Sequence, residues 1–259
     1  MAVQPTSQVV PAAELDALRA AVAAAEPAFL ADLERLVNLD CGSYTKPGVD
    51  EVGRWVAERM RALGAEVGIE TNAELGDTVV GRWMGDRPGA RRLLLIGHMD
   101  TVFPEGTAAE RPFAIDADGI ARGPGVTDMK AGLLAGLYAI GAVRSAADGL
   151  PLASLTFVAN PDEEIGSPVS TPVIRSIAAD VDACLVLECA RANGDIVSSR
   201  KGIADLAITV RGRAAHAGVE PEKGRSAILE AARIVRDLHA LNRRWDGVTV
   251  NVGVISGGI

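Results

Sequence analysis

The chain has 259 residues and a net charge of −8; 48% of its residues are hydrophobic and 3% aromatic. That length accommodates one large domain or two smaller ones, with a core built from Ala, Val, Leu and Ile. The acidic balance argues against a nucleic acid as partner, and no apolar run of about 18 residues is read as a membrane span.

Residues 12–39 are rich in Ala, Leu and charged side chains, which predicts a helix that Pro27 breaks or kinks. A second helix is expected over 47–63, with Gly64 as its C-cap. Strand-like runs follow at 65–70, 78–84 and 91–97. The Pro- and Gly-rich segment 101–127 reads as a loop holding a short strand pair around Ile115 and Ile120. An Ala/Leu/Gly helix is expected over 128–146, then a strand at 152–159, an acidic turn at 160–166, a helix at 168–178 and a strand at 183–188. This order predicts an α/β fold with helices on the faces of a sheet.

The pattern changes near residue 196. Segments 196–199 and 204–211 alternate apolar and polar residues as strands do, a long amphipathic helix spans about 225–243, and 249–254 is a further strand. A strand, a helix and a strand without closing elements leave an exposed edge and a half-covered face. Residues 1–198 are therefore read as a first domain and 199–259 as the start of a second, cut short. Residues 1–16 carry neither a basic head nor an apolar signal core, so the cytoplasm is the expected location. Cys41, Cys184 and Cys189 are an odd number without zinc-finger spacing and are expected as reduced thiols.

The chemistry concentrates where strands end. In Leu93-Leu94-Leu95-Ile96-Gly97-His98-Met99-Asp100-Thr101-Val102, an apolar strand closes on a histidine and an aspartate two residues apart. Side chains alternate along a strand, so His98 and Asp100 emerge on one face and Met99 on the other. The pair suits a metal site and equally suits a hydrogen-bonded loop anchor. Asp128 opens a helix after Gly123-Pro124-Gly125-Val126-Thr127, where backbone donors and the helix dipole favour a carboxylate; simple N-capping is the other reading. Glu163 and Glu164 lie with Asp162 in Asn160-Pro161-Asp162-Glu163-Glu164-Ile165-Gly166, and a cation, or merely water, would relieve their repulsion. Glu188 ends the run Ala183-Cys184-Leu185-Val186-Leu187, either with a partner or exposed. Side chains at the C-terminal ends of parallel strands converge on one crevice. One imidazole with several carboxylates suits zinc, with manganese or cobalt as substitutes. The surplus of carboxylates favours two ions about 3.5–4 Å apart, with one of the paired glutamates left as a general base.

The segments Leu94–Val102, Arg122-Gly123-Pro124-Gly125-Val126-Thr127-Asp128-Met129-Lys130-Ala131-Gly132 and Asn160–Gly166 resemble the zinc metallopeptidases that include glutamate carboxypeptidase, aminoacylase and succinyl-diaminopimelate desuccinylase, above all the carboxypeptidase G type. The resemblance runs over about residues 30–259 and implies a zinc-exopeptidase-like mixed sheet with helices on both faces, followed by a partial α+β dimerisation (lid) domain. It implies that His98 and Glu188 ligate one zinc, that Asp128 bridges both, and that Glu164 ligates the other. It makes Glu163 the general base, Asp100 the carboxylate that orients the ligand histidine, and Asp162 a turn residue. It further implies a cis peptide after Asp128, and a role for His216 in polarising the scissile carbonyl across a homodimer interface. A lone loop histidine would otherwise read as a surface residue, and His239 has no matching role.

The implied reaction is hydrolysis of the amide bond of a small peptide or N-acyl amino acid by a water that two zinc ions activate. Glu163 takes the proton and passes it to the leaving amine. The pattern also needs a further histidine ligand and a substrate-gripping arginine nearer the C-terminus, and only His98, His216 and His239 are present. The chain is therefore expected to be a fragment with little or no peptidase activity and a tendency to aggregate. The alternative reading is a non-catalytic metal-binding or dimerisation module of the same fold. A serine or cysteine hydrolase is disfavoured, because no Gly-x-Ser-x-Gly elbow occurs and Cys189 should point away from Glu188.

Overall fold

The structure is a computed structural model that describes residues 10–146 and 149–258. Residues 1–9, in which the expected first domain begins and the absence of a signal core was read, lie outside the described residues. The chain divides into two compact units, Met1–Ala190 and Arg191–Ile259.

In the first unit, helix α1 (Ala12–Val37) runs through Pro27 without a break. The proline removes the hydrogen bond to the Ala23 carbonyl. Ala23 and Pro27 are both exposed, so that carbonyl lies on the solvent side, while Leu33, Leu36 and Val37 bury the end of the helix. Helix α2 (Lys46–Ala62) places Val49, Val52, Val56 and Met60 on one buried stripe, the three-four spacing of an amphipathic helix. It stops at Gly64, whose φ of +82° is the left-handed conformation that glycine adopts at a helix end.

Strands β1 (Glu66–Glu70), β2 (Thr78–Met84) and β3 (Arg92–His98) follow. The short helix α3 (Thr107–Glu110) comes next, then the strand pair β4 (Ala114–Ile115) and β5 (Ala121–Arg122). A π-helical turn, Val126–Lys130, contains a cis Asp128–Met129 peptide and leads into α4 (Ala131–Ala146). Strand β6 (Ser154–Asn160), a 3-10 turn at Glu163–Ile165, helix α5 (Thr171–Ala178) and strand β7 (Ala183–Val186) complete the unit.

The main sheet has the order β1-β2-β6-β3-β7. β1 with β2 and β2 with β6 are antiparallel; β3 runs parallel to β6 (His98 opposite Asn160) and to β7 (Ile96 opposite Val186). The sheet is thus mixed, as expected. Alternate residues serve opposite faces: Val79, Leu95 and Phe157 pack with α1, α2 and α4, whereas Val80, Leu94 and Val158 pack with Val173, Ile174 and Ile177 of α5. β7 forms one edge of this sheet, and Leu185 and Val186 there are more than half exposed.

The segment Val126–Ala146 is long and apolar enough, by length and composition, to cross a membrane, which the sequence reading did not find. Its Leu133, Leu134, Leu137 and Ile140 are buried in the core shared with α1, the setting of a core helix.

The second unit is built around α6 (Ala227–Ala240), whose N-cap Ser226 hydroxyl accepts the Leu229 N–H at 3.1 Å. The strands expected at 196–199, 204–211 and 249–254 are not formed. Among the described residues the unit's bridging is one isolated pair, Arg213 with Arg225. Among the described residues, the α+β character expected of this part therefore reduces to one α-helix and a 3-10 turn, Pro221–Lys223, with irregular segments. Alternation supplies an apolar face, but a strand also needs a neighbour to take its N–H and C=O groups. Ile196, Ile203, Leu206 and Val254 accordingly stand 86–91% exposed.

Candidate metal centre

Parallel pairing of β3 with β6 and β7 brings three strand ends to one side of the sheet. His98 is the last residue of β3, and the Met99 N–H donates to the Asn160 carbonyl at 2.8 Å. The Leu187 N–H donates to the Ile96 carbonyl at 2.9 Å, which carries the β7 chain alongside β3 towards Glu188. Asp128 comes from the π-helical turn before α4.

The His98 side chain is 1% exposed. Its Nε2 lies 3.0 Å from Asp128 Oδ1, 3.6 Å from Glu188 Oε1 and 4.0 Å from Glu163 Oε2. Its Nδ1 lies 3.0 Å from the Asp100 carbonyl oxygen and 3.4 Å from Asp100 Oδ1. A proton on Nδ1 is thereby held by Asp100, and Nε2 faces the carboxylates as a donor atom for a cation. Two overlapping groups result, His98–Glu163–Glu188 and His98–Asp128–Glu164, each with ligand atoms within 4.8 Å of one another.

Asp100 is fully buried and does more than the sequence reading expected. Besides facing His98, it accepts the Ser43 hydroxyl at 2.6 Å and the backbone N–H groups of Glu163 at 3.1 Å and Glu164 at 3.2 Å. One carboxylate thus ties the β3 end to the acidic turn after β6.

The electrostatics fit a cation. Burial, then the nearby Asp128 charge, pushes the Glu164 carboxyl up to about 7. Burial alone would lower His98, but Asp100, Glu188 and Asp128 outweigh it and push the imidazole up to about 9. Both upward shifts share one cause, a crowd of negative charge that a bound cation would relieve. One imidazole among four carboxylates is a donor set for zinc, manganese or cobalt.

Both shifts are upward, so both groups stabilise the fold when protonated and lose that contribution as pH rises. The Glu164 contribution is complete below its ordinary value of 4.5 and is lost through about 7; that of His98 is complete below 6.5 and is lost through about 9. The melting temperature of the chelator-treated protein is therefore expected to fall from about pH 4.5 to about pH 9, and added zinc to oppose the fall at the alkaline end. A flat profile across that window would contradict this electrostatic account.

The structure brings His98, Asp100, Asp128, Glu163, Glu164 and Glu188 into one cluster. His216 belongs to the second unit, is exposed, and accepts the Gly218 N–H on Nδ1 at 3.1 Å. His239 is also exposed, with the Val252 N–H donating to its Nε2 at 3.4 Å. Two polar residues near the site escaped the sequence reading. Ser43 lies 57 residues from Asp100, and nothing local marks it. Lys130, buried at 1% exposure, donates to the Leu39 carbonyl at 3.1 Å. Asp162 sits in the turn as expected, and its carboxylate is fully buried there. Beside the cluster, a cavity of about 620 Å³ is lined by Asp128 and Glu164 together with Val102, Phe103, Arg111 and Val126.

A model of peptidase family M20/M25/M40 matches residues 94–258. Carboxypeptidase G2 of Pseudomonas sp. (strain RS-16) is 33% identical over 239 residues, covering 89% of this chain and 57% of that protein. Succinyl-diaminopimelate desuccinylase 2 of Shewanella loihica is 29% identical over 203 residues, covering 74% of this chain and 52% of that protein. Among solved structures, a tripeptidase from Staphylococcus aureus superposes with a TM-score of 0.63 at 23% identity, covering 89% of this chain and 61% of that one. The chain thus spans little more than half the length of these curated relatives.

Proposed function

The chain belongs to peptidase family M20/M25/M40, and from that premise we propose that it carries the metal-holding part of a zinc-dependent exopeptidase or aminoacyl amidohydrolase. The observation that carries this reading is the convergence of His98, Asp128, Glu163, Glu164 and Glu188 in two groups whose ligand atoms lie within 4.8 Å of one another. His98, Asp128, Glu164 and Glu188 would hold two zinc ions, which when bound supply Lewis-acid polarisation of a carbonyl and acidification of water. Glu163 is proposed as the general base. Its side chain is 48% exposed, so it can reach an attacking water, take its proton and return it to the leaving nitrogen. Asp100 holds the His98 ring and the backbone of both glutamates in place.

The proposed substrate is a small peptide or N-acyl amino acid cleaved in carboxypeptidase fashion, by analogy with the relatives named above. The cavity beside Asp128 and Glu164 gives such a molecule room next to the scissile bond. His216 is proposed to assist from a second copy of the chain in a homodimer. The cytoplasm is proposed as the place of action, a reducing setting in which Cys41, Cys184 and Cys189 stay free thiols. Residues 1–198 and 199–259 are proposed as the catalytic and lid parts.

The test uses the complete protein, meaning this chain with any sequence its gene encodes after residue 259. Release of the amino acid from N-acyl amino acids that stops on chelation and returns with zinc is the expected result. Turnover indifferent to chelators would overturn the metal-dependent reading, and stoichiometric zinc without turnover would favour the non-catalytic module. The 259 residues by themselves, with one imidazole in the cluster, are expected to show little or no turnover; full turnover by them would overturn that expectation.

A further inference from the structure

The turn that carries Glu163 and Glu164 is held from two sides, and the second grip comes from Asp162. This carboxylate is 0% exposed, and its partners among the described residues all come from the far end of the same loop. Oδ2 accepts the N–H groups of Val169 at 2.6 Å and Ser170 at 3.1 Å; Oδ1 accepts the Ser170 hydroxyl at 2.5 Å. The Asp162 carbonyl accepts the Ser167 N–H at 2.8 Å. The loop 162–170 is therefore closed into a ring, and Ser170 at its far end is also 0% exposed. Between these buried ends the chain turns through two consecutive left-handed residues, Gly166 with φ +86° and Ser167 with φ +56°.

The Glu163 and Glu164 side chains are exposed and half-buried, so packing does little to aim them. Their direction depends on where the backbone of the turn sits. Asp100 fixes its two N–H groups, and the Asp162 ring fixes the path on which the chain leaves it. We infer that Asp162, through its ring of hydrogen bonds to Val169 and Ser170, is a positioning residue that aims the Glu163 and Glu164 carboxylates at the metal site. Three donors onto two carboxylate oxygens form an over-determined clamp, since charge-assisted bonds are short and strong. This inference rests on the metal reading of the cluster.

The geometry also selects the conservative variant. Asparagine can keep an oxygen towards the Val169 and Ser170 N–H groups and donate its amide to the Ser170 oxygen, because that hydroxyl can reverse its role. Alanine leaves three buried donors without an acceptor.

The test is a cobalt(II) titration of the chelator-treated complete protein, read by the visible absorption of the bound ion, with circular dichroism as the folding control. Asp162→Ala is expected to weaken cobalt binding about 10–100-fold and to alter the spectrum, as loss of an outer partner of metal ligands does. Asp162→Asn is expected to restore both to near the wild-type values. Should Asp162→Ala not fold, Ser170→Ala, which removes one donor, decides: weaker binding with a changed spectrum supports the assignment. A folded Asp162→Ala or Ser170→Ala protein with wild-type affinity and spectrum overturns it. Failure of the wild-type protein to bind cobalt would instead overturn the metal reading, and this inference with it.

Discussion

Replacing Glu163 by glutamine in the complete protein is expected to lower kcat for amide hydrolysis by about 10²–10⁴-fold, the range that a positioned general base supplies. The amide keeps the size of the side chain and leaves the Glu163 backbone bond to Asp100 untouched, so the turn keeps its place. What disappears is the capacity to accept a proton. Glu163 Oε2 stands 4.0 Å from His98 Nε2 and also belongs to the His98–Glu163–Glu188 group, so a ligand role has to be told apart from a base role. Zinc stoichiometry does this. Lost turnover with zinc content retained identifies the base, whereas turnover and zinc lost together make Glu163 a ligand. A fully active Glu163→Gln protein would remove the assignment.

The largest effect on the architecture is expected from Asp100→Ala. That substitution strips an acceptor from the Ser43 hydroxyl and from the N–H groups of Glu163 and Glu164, and takes the carboxylate away from His98. All of this happens at a side chain with 0% exposure, where water cannot substitute. Breaking a buried charge pair costs about 3–5 kcal/mol of stability, and loss of the group that orients a ligand histidine costs about 10–100-fold in metal affinity. Denaturant unfolding of the chelator-treated protein and a cobalt titration measure the two separately. Asp100→Asn keeps the shape and an oxygen for part of the network, so a smaller loss is expected. An Asp100→Ala protein within about 1 kcal/mol of wild type would show that the network contributes little.

Much of the site was legible because its signals are local. Alternation at a strand end puts His98 and Asp100 on one face whatever lies elsewhere, and the acidic pair after the strand at 152–159 is a local signal that a cation or water must screen. What was not legible depends on distant partners. Asp100 meets Glu163 across 63 residues and Ser43 across 57. Asp162 read as an ordinary turn acid, because its donors, Val169 and Ser170, become donors to it only once the loop closes. Pro27 shows a similar limit: local propensity predicts a break or a kink, and the break does not occur, with Leu33, Leu36 and Val37 burying the end of the continuous helix.

By itself the sequence determined the order of helices and strands in the first unit apart from the short α3, the two-faced pattern of its β-strands and the chemical type of the cluster, one imidazole with carboxylates. These follow from periodicity and from the residue types at strand ends, which are properties of short segments. The tertiary structure alone decided which oxygen meets which nitrogen around His98. It also decided that Asp100 and Asp162 grip one turn from two sides, and that the alternating segments after residue 195 form no ladder. Those outcomes are pairings, and a hydrogen bond needs its partner brought within about 3 Å by the fold of the rest of the chain.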